Sequence, residues 1–248
     1  MVTRRWVLRA ATAAAADLRM NFDARAEETH ANKTVFMTSD DGPNAATSII
    51  VDIAERLQVP FTLFMIGTNV ATGPGHRKLI ERARASEWIT IGNHSFSHCS
   101  GHYVRCYHDG PSLVHDFERA SNELGLSPPV LARGPGRDVW RLPGMRLDDP
   151  VISRNETRIE DPAYDALFTA GFYLFGWDVE WAHRHGIPRQ SVPTMVDLLT
   201  GSHGRKPGKV VMLMHDVMMR DPKGPDKLVR IIEGVRDRGA TFEPLSEY

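Results

Sequence analysis

Two short polar segments of the sequence carry side-chain types that could bind a metal ion. Asp40 and Asp41 are adjacent, and His94 and His98 are four residues apart, so one helical turn would point both imidazoles at a single ion. A carboxylate would complete a three-ligand site that keeps open positions for water and substrate, as catalytic metal sites do. Each segment alone has a simpler explanation, since Asp-Gly-Pro is common in turns and histidine pairs are common at surfaces.

The adjacent carboxylates also suggest a division of roles. One of them would bind the cation, while the other would take a proton from the water bound to it. A ligand set of one carboxylate and two imidazoles favours zinc over calcium, with cobalt or nickel as alternatives.

These polar residues all follow candidate strands. Short apolar runs alternate with amphipathic stretches, which is typical of strands joined by crossover helices in a parallel sheet. The apolar runs 35–37, 89–91, 172–175 and 210–214 precede, in order, Asp40-Asp41, His94 with His98, Asp178 with Glu180, and His215. About seven such units predict an α/β fold, a distorted or incomplete (β/α) barrel of about seven parallel strands, whose strand ends carry the function. Residues 134–158 show no regular spacing of apolar residues, and they are predicted to form a long functional loop.

The N-terminal segment differs from the rest of the chain. Residues 1–31 contain Arg4 and Arg5 followed by an alanine-rich, weakly apolar stretch, which resembles a twin-arginine export signal. A frayed helix of a cytoplasmic protein is the alternative interpretation. We expect residues 32–248 to form one catalytic domain, and the protein to be periplasmic or secreted.

The composition argues against nucleic acid and membranes as binding partners. The 30 Lys and Arg residues balance 31 Asp and Glu residues, so no basic surface for nucleic acid is expected. No apolar run reaches the roughly 18 residues of a membrane-spanning helix, and we expect no stable membrane insertion.

The two cysteines, Cys99 and Cys106, are too few to build a fold from disulfides. They could pair with each other after export. Together with His102 and His108 they could instead bind a structural zinc ion, but their spacing fits no common zinc module, and a loop is predicted here.

Three motifs together carry a family resemblance. Thr38-Ser39-Asp40-Asp41-Gly42-Pro43 resembles the first motif of the polysaccharide deacetylases of carbohydrate esterase family four, which are related to the nodulation chitooligosaccharide deacetylases, although Ser39 stands where that family usually has phenylalanine. His94-Ser95-Phe96-Ser97-His98 matches the second motif, and Leu213-Met214-His215 matches the last. The motifs occur in the family's order over roughly residues 34–216.

The resemblance implies a role for each matching residue. Asp40 would be the catalytic base and His215 the general acid, while Asp41, His94 and His98 would hold the metal. The family's third motif supplies an arginine that orients the base, and both Arg133 and Arg141 precede a suitable Pro. Arg133 is preferred because it follows a predicted strand, and Gly136 would then donate its amide to the oxyanion.

The fourth motif usually supplies an aspartate that tunes the acid histidine. Asp178 and Glu180 both fit, because they face the same way in an extended segment. Trp181 would form an apolar wall against a sugar, with a buried core tryptophan as the equal alternative. Leu213, in the last motif, would lie against the substrate.

The resemblance implies hydrolysis of N-acetyl groups on an N-acetylglucosamine-containing polysaccharide, with release of acetate. The expected partner is therefore an acetylated polysaccharide or oligosaccharide. An O-acetyl esterase acting on a xylan-type polymer and a non-catalytic carbohydrate-binding protein are the alternatives.

Overall fold

The computed structural model describes residues 33–72, 74–149 and 154–248. The predicted export segment, residues 1–31, lies outside these ranges. Twelve strands are present in the described chain: β1 (Thr34–Gly42), β2 (Phe61–Met65), β3 (Ile89–Asn93), β4 (Val130–Ala132), β5 (Trp140–Leu142), β6 (Met145–Leu147), β7 (Phe172–Leu174), β8 (Val179–Glu180), β9 (His183–Arg184), β10 (Ile187–Pro188), β11 (Lys209–His215) and β12 (Thr241–Phe242).

Seven parallel strands form the centre of the main sheet, in the order β7-β4-β3-β2-β1-β11-β8. The antiparallel strands β5 and β6 extend the sheet beyond β7, and β12 pairs with the start of β1. The outermost strands of this path, β6 and β8, do not pair with each other in the described chain. The prediction of an incomplete barrel with about seven parallel strands is therefore confirmed.

Eight α-helices connect the strands of the described chain: α1 (Thr47–Leu57), α2 (Gly67–Ala71), α3 (Pro74–Ala85), α4 (Tyr103–Tyr107), α5 (Gly110–Leu124), α6 (Arg154–Thr169), α7 (Val192–Thr200) and α8 (Gly224–Asp237). The predicted long loop at 134–158 is only partly a loop, because β5, β6 and the start of α6 lie within it. These two strands have three residues each, which is too few to show the alternation of apolar and polar residues that identifies a strand. No helix in the described ranges combines the length and apolar character needed to cross a membrane.

The side-chain alternation of β1 separates a helix-facing core from the barrel interior. Val35 and Met37 pack in the large cluster that α1 and α8 cover, whereas Phe36 belongs to an interior cluster with Phe64 and Trp140. Successive side chains of a strand point to opposite faces, so Thr38 and Asp40 follow Phe36 on the interior face. The apolar interior therefore ends where the first catalytic candidate begins.

A buried ion pair anchors the loop that follows β4. The guanidinium of Arg137 donates from Nε and from a terminal nitrogen to the two carboxylate oxygens of Glu160, at 2.7 Å each. Tyr164 donates a further hydrogen bond to the same carboxylate, whose side chain is fully buried. This bidentate contact ties the segment after Gly136 to α6.

We predict that Glu160→Gln lowers the free energy of unfolding by about 3 kcal/mol, because Arg137 stays buried without its counter-charge. Urea denaturation at constant pH measures the change. Asp52→Asn, which removes an exposed partner of Arg82, is the control and should cost less than about 1 kcal/mol. A loss as small for Glu160→Gln would contradict the anchoring role of the pair.

Candidate active site

The two adjacent aspartates both reach one pocket because β1 is irregular at this point. The register of β1 against β2 shifts between Asp40 and Gly42, which is where a β-bulge inserts one extra residue. Asp41 has a φ of 72°, in the left-handed region, and Asn69 on α2 donates to its carbonyl at 3.0 Å. In a regular strand the two carboxylates would face opposite sides. The bulge lets both line the same cavity.

Asp41, His94 and His98 form a cluster whose ligand atoms lie within 4.8 Å of one another. The Nε2 atoms of His94 and His98 are 3.6 Å and 3.2 Å from Oδ1 of Asp41. That oxygen is buried and has no aligned hydrogen-bond donor in the described chain. Two ring nitrogens directed at one unsatisfied carboxylate oxygen fit a bound cation.

The environment of His94 prepares it as a ligand. Its Nδ1 lies 2.8 Å from the carbonyl oxygen of Arg133, so Nδ1–H donates there and Nε2 is left with a free lone pair. Burial lowers the pKa of His94 and outweighs the opposing effect of Asp40 and Asp41. The neutral ring is the form that binds metals.

Burial opposes the charged form of Asp41, but the imidazoles of His98 and His94 outweigh it. The pKa of Asp41 is therefore held well below its usual value, and the carboxylate is ionised. The sequence spacing suggested one helical turn for the histidines, and this is corrected: residues 94–97 have no helical structure, and His98 opens a short 3₁₀ segment. The loop still brings the two rings to 5.0 Å between centroids.

Asp40 lies directly across from His215, since the two residues are register partners on β1 and β11. The Asp40 side chain is 4% exposed, and its Oδ1 accepts from a terminal nitrogen of Arg133 at 2.9 Å. The other oxygen, Oδ2, is 3.6 Å from Nε2 of His94. Asp40 therefore has one oxygen fixed by Arg133 and the other directed at the cluster of Asp41, His94 and His98.

The structure distinguishes between the two candidate arginines. Arg133 is fully buried and also donates to Thr38 and to the carbonyls of Phe175 and Gly176. Arg141 instead contacts three carboxylates away from Asp40, those of Asp148, Asp161 and Asp165.

The two carboxylate candidates for tuning His215 also lie in different places. Asp178 accepts backbone hydrogen bonds from Arg205 and Val211, at 2.8 Å each. Val211 is four residues before His215, about 13 Å along the strand. A tuning role for Asp178 is therefore corrected, because its carboxylate is used to hold backbone elsewhere. Glu180 pairs in register with Leu213 and lines the same pocket as His215.

Trp181 does not line the pocket. It is fully buried in the helix-facing core, and its indole nitrogen lies 3.4 Å from the carbonyl of Gln190. Of the two interpretations of Trp181 the core residue is correct, and the sugar-facing one is wrong. Trp177, four residues earlier, lines the pocket instead.

The pocket has a volume of about 340 Å³ and joins the predicted residues to several that the sequence did not single out. Gly136 and Leu213 line it as predicted. The additional lining residues are Tyr103, Asp149 and Trp177. Trp177 could have been recognised as a site residue because it directly precedes the candidate Asp178. Nothing in the local sequence indicated Tyr103 or Asp149.

Two further residues next to the site were missed. His183, which no sequence motif indicated, packs its ring edge-on against His215 with 4.9 Å between centroids. Asp216 is buried below the pocket and accepts hydrogen bonds from Ser39 and Thr47. Burial raises the pKa of Asp216 to about 6 despite those hydrogen bonds. A side chain on Gly42 would clash with this carboxylate, which explains the glycine there.

Comparisons with known proteins agree with this site. The sequence matches the polysaccharide deacetylase family over residues 27–127. It is 25% identical to a peptidoglycan-N-acetylglucosamine deacetylase of Bacillus cereus over 87% of this chain and 70% of that protein. It is also 25% identical to a chitooligosaccharide deacetylase of Rhizobium leguminosarum bv. trifolii, over 84% of this chain and 80% of that protein.

Among solved structures, a CE4 esterase of Streptococcus mutans matches with a TM-score of 0.61 and 26% identity, over 87% of both chains. The incomplete barrel is the fold of the CE4 esterases, and residues 27–127 match the polysaccharide deacetylase family. Together with the deacetylase relatives, these findings confirm the resemblance seen in the sequence and support an enzyme of the polysaccharide deacetylase class.

We predict that Arg133→Ala lowers deacetylase kcat/KM by about a hundredfold, because Asp40 loses the group that orients it. Arg141→Ala is the matched control and should retain most of the activity. Both variants are compared at equal metal content after thermal unfolding has verified that they are folded. The reverse ranking would move the orienting role to Arg141.

Proposed function

We propose that this protein is a divalent-metal-dependent deacetylase that hydrolyses N-acetyl groups of an N-acetylglucosamine-containing polysaccharide and releases acetate. One observation carries the proposal: a buried carboxylate, a carboxylate-dihistidine cluster and His215 converge in a single pocket at the carboxyl ends of β1, β3 and β11. The names of the Bacillus and Rhizobium relatives support an N-acetylated glycan as substrate.

Asp41, His94 and His98 would hold the cation. Their mixed oxygen and nitrogen donors support zinc, with cobalt or nickel as alternatives. When bound there, a divalent cation supplies Lewis acidity, which polarises a carbonyl and activates water as a nucleophile.

Asp40 accepts the proton of the attacking water. Its Oδ2 is the accepting atom, because Oδ1 is hydrogen-bonded to Arg133 and Oδ2 faces the cluster. Arg133 keeps the carboxylate in this orientation through its hydrogen bond to Oδ1.

Gly136 would donate its backbone amide to the oxyanion that forms at the acetyl carbon. Leu213 and Trp177 line the pocket and would contact the substrate. His215 protonates the departing amine as the carbon–nitrogen bond breaks, so that acetate and a free amino sugar are the products. Glu180 is the pocket carboxylate that would assist His215.

We further propose that the protein acts outside the cytoplasm, with residues 1–31 as a twin-arginine export signal. The Cys99–Cys106 disulfide supports this, since disulfides form mainly in oxidising compartments.

An acetate-release screen tests the proposed function. Chitin oligosaccharides, peptidoglycan, an acetylated exopolysaccharide and acetylated xylan are each incubated with the protein, after chelation and again after zinc is restored. Zinc-dependent release from an N-acetylated polymer is expected. Release from xylan alone would favour the O-acetyl esterase, and zinc binding with no release from any polymer would favour a carbohydrate-binding protein.

We predict that His94→Ala and His98→Ala each lose bound zinc and activity together, because two protein ligands hold a cation far more weakly than three. Metal content after dialysis is measured by atomic absorption. His115→Ala, which changes an exposed histidine on α5, is the control and should retain both. A full equivalent of zinc in the two pocket variants would reject the ligand assignment.

Asp40→Asn should bind zinc yet lose at least about a hundredfold in kcat, because the amide keeps the shape of the side chain but cannot accept the proton. His215→Ala should lose a comparable factor in kcat, because no general acid then protonates the departing amine. His203→Ala, at an exposed position, serves as the control. A near wild-type kcat in either pocket variant would contradict the proposed proton transfers.

A further inference from the structure

The segment that carries His98 has an unusual backbone. Four consecutive residues have positive φ: His98 (51°), Cys99 (51°), Ser100 (49°) and Gly101 (74°). Residues other than glycine are sterically disfavoured in this region, so such a run persists only where surrounding contacts hold it. Because His98 belongs to the proposed metal site, the contacts that hold this segment also decide where its imidazole points.

Different contacts hold the two sides of His98. On the N-terminal side, the amides of Phe96 and Ser97 donate to Asp116 Oδ2 at 3.1 Å each. On the C-terminal side, the neighbouring residue Cys99 forms a disulfide with Cys106. Cys99 is 6% exposed and packs in the same apolar cluster as Tyr107. The disulfide thus fixes the residue next to His98 to helix α4.

Helix α4 also brings Tyr103 to the pocket. The ring of Tyr103 lies edge-on to the His98 ring, with 5.8 Å between centroids. A Cβ placed on Gly136 would lie 3.2 Å from the Tyr103 ring, so the ring packs against the residue that is the proposed oxyanion donor. Tyr103 therefore contacts the proposed metal ligand on one side and the proposed acetyl-binding backbone on the other.

We propose that the Cys99–Cys106 disulfide and Tyr103 form one positioning unit. The disulfide holds His98 in its metal-facing conformation, and the Tyr103 ring forms the pocket wall against the acetyl end of the substrate. The acetyl end would be the part of the substrate nearest the ring, because the ring lies against Gly136, whose amide is the proposed oxyanion donor. This inference rests on the proposed function and adds two elements that none of the family motifs in this chain contains.

The disulfide is tested by the zinc affinity of the double variant Cys99→Ser/Cys106→Ser. Both cysteines line a surface cavity of about 440 Å³, where serine hydroxyls can be hydrated, so the variant is expected to fold. Competition with a chromophoric chelator should show zinc affinity reduced at least about tenfold, as for the loss of groups that orient ligands. Circular dichroism verifies folding, and His115→Ala is the control. Unchanged zinc affinity in the double variant would overturn the role of the disulfide.

The wall is tested by Tyr103→Ala and Tyr103→Phe, assayed with a chitooligosaccharide at full zinc occupancy. Tyr103→Ala should raise KM about tenfold, whereas Tyr103→Phe keeps the ring and should stay near the wild type. Val104→Ala changes an exposed neighbour on α4 and controls for effects on the helix. An unchanged KM for Tyr103→Ala, or an equal rise for Val104→Ala, would overturn the role of the ring.

The outcomes separate this inference from the proposed function. A wild-type protein that binds zinc but releases no acetate would refute the proposed function, while the zinc-affinity comparison would still decide the role of the disulfide. In that case the Tyr103 variants are compared by calorimetric binding of the same oligosaccharide. A wild-type protein that binds no zinc would reject both.

Discussion

The buried contact between Arg133 and Asp40 is the interaction on which the rest of the site depends. Arg133 reaches from the end of β4 to Asp40 and Thr38 on β1 and to the carbonyls of Phe175 and Gly176 after β7. Its own carbonyl accepts from His94, which follows β3. The buried guanidinium thus links the end of β4 to the ends of β1 and β7, and the backbone carbonyl of the same residue adds the end of β3. A planar fork of donors can do this, and the single ammonium of a lysine cannot.

The second constraint is the irregularity of β1 at Asp41. A regular strand would separate the two adjacent carboxylates onto opposite faces, and only one of them could meet the histidines. The bulge places both at the pocket, and the side chain of Asn69 on α2 supports it by donating to the carbonyl of Asp41. Local backbone distortion is therefore concentrated at functional residues, here and again at 98–101. The apolar interior around Phe36 and Trp140 supplies the rigid base beneath them.

The sequence alone indicated the main parallel strands, the family resemblance and the candidate site residues. These features are local. An apolar run of about five residues or an Asp-Asp-Gly-Pro segment can be recognised without knowing which distant segments it packs against. The register of β1 with β11 then brought Asp40 and His215 together as expected from residues that follow parallel strands. Strands of three residues, such as β5 and β6, were too short for their period to be recognised.

Only the tertiary structure decided between alternatives with the same local pattern. Arg133 and Arg141 both precede a suitable Pro, yet 93 residues separate Arg133 from the aspartate it contacts. Asp178 and Glu180 differ in their partners on β11, which are Val211 and Leu213. Trp177 lines the pocket, whereas Trp181 is buried in the helix-facing core. The pairing of Cys99 with Cys106 and the approach of Tyr103 to Gly136 depend on the same packing. Spacing along a chain fixes which residues can face one way, but contacts between distant segments are fixed only by how the sheet and helices pack.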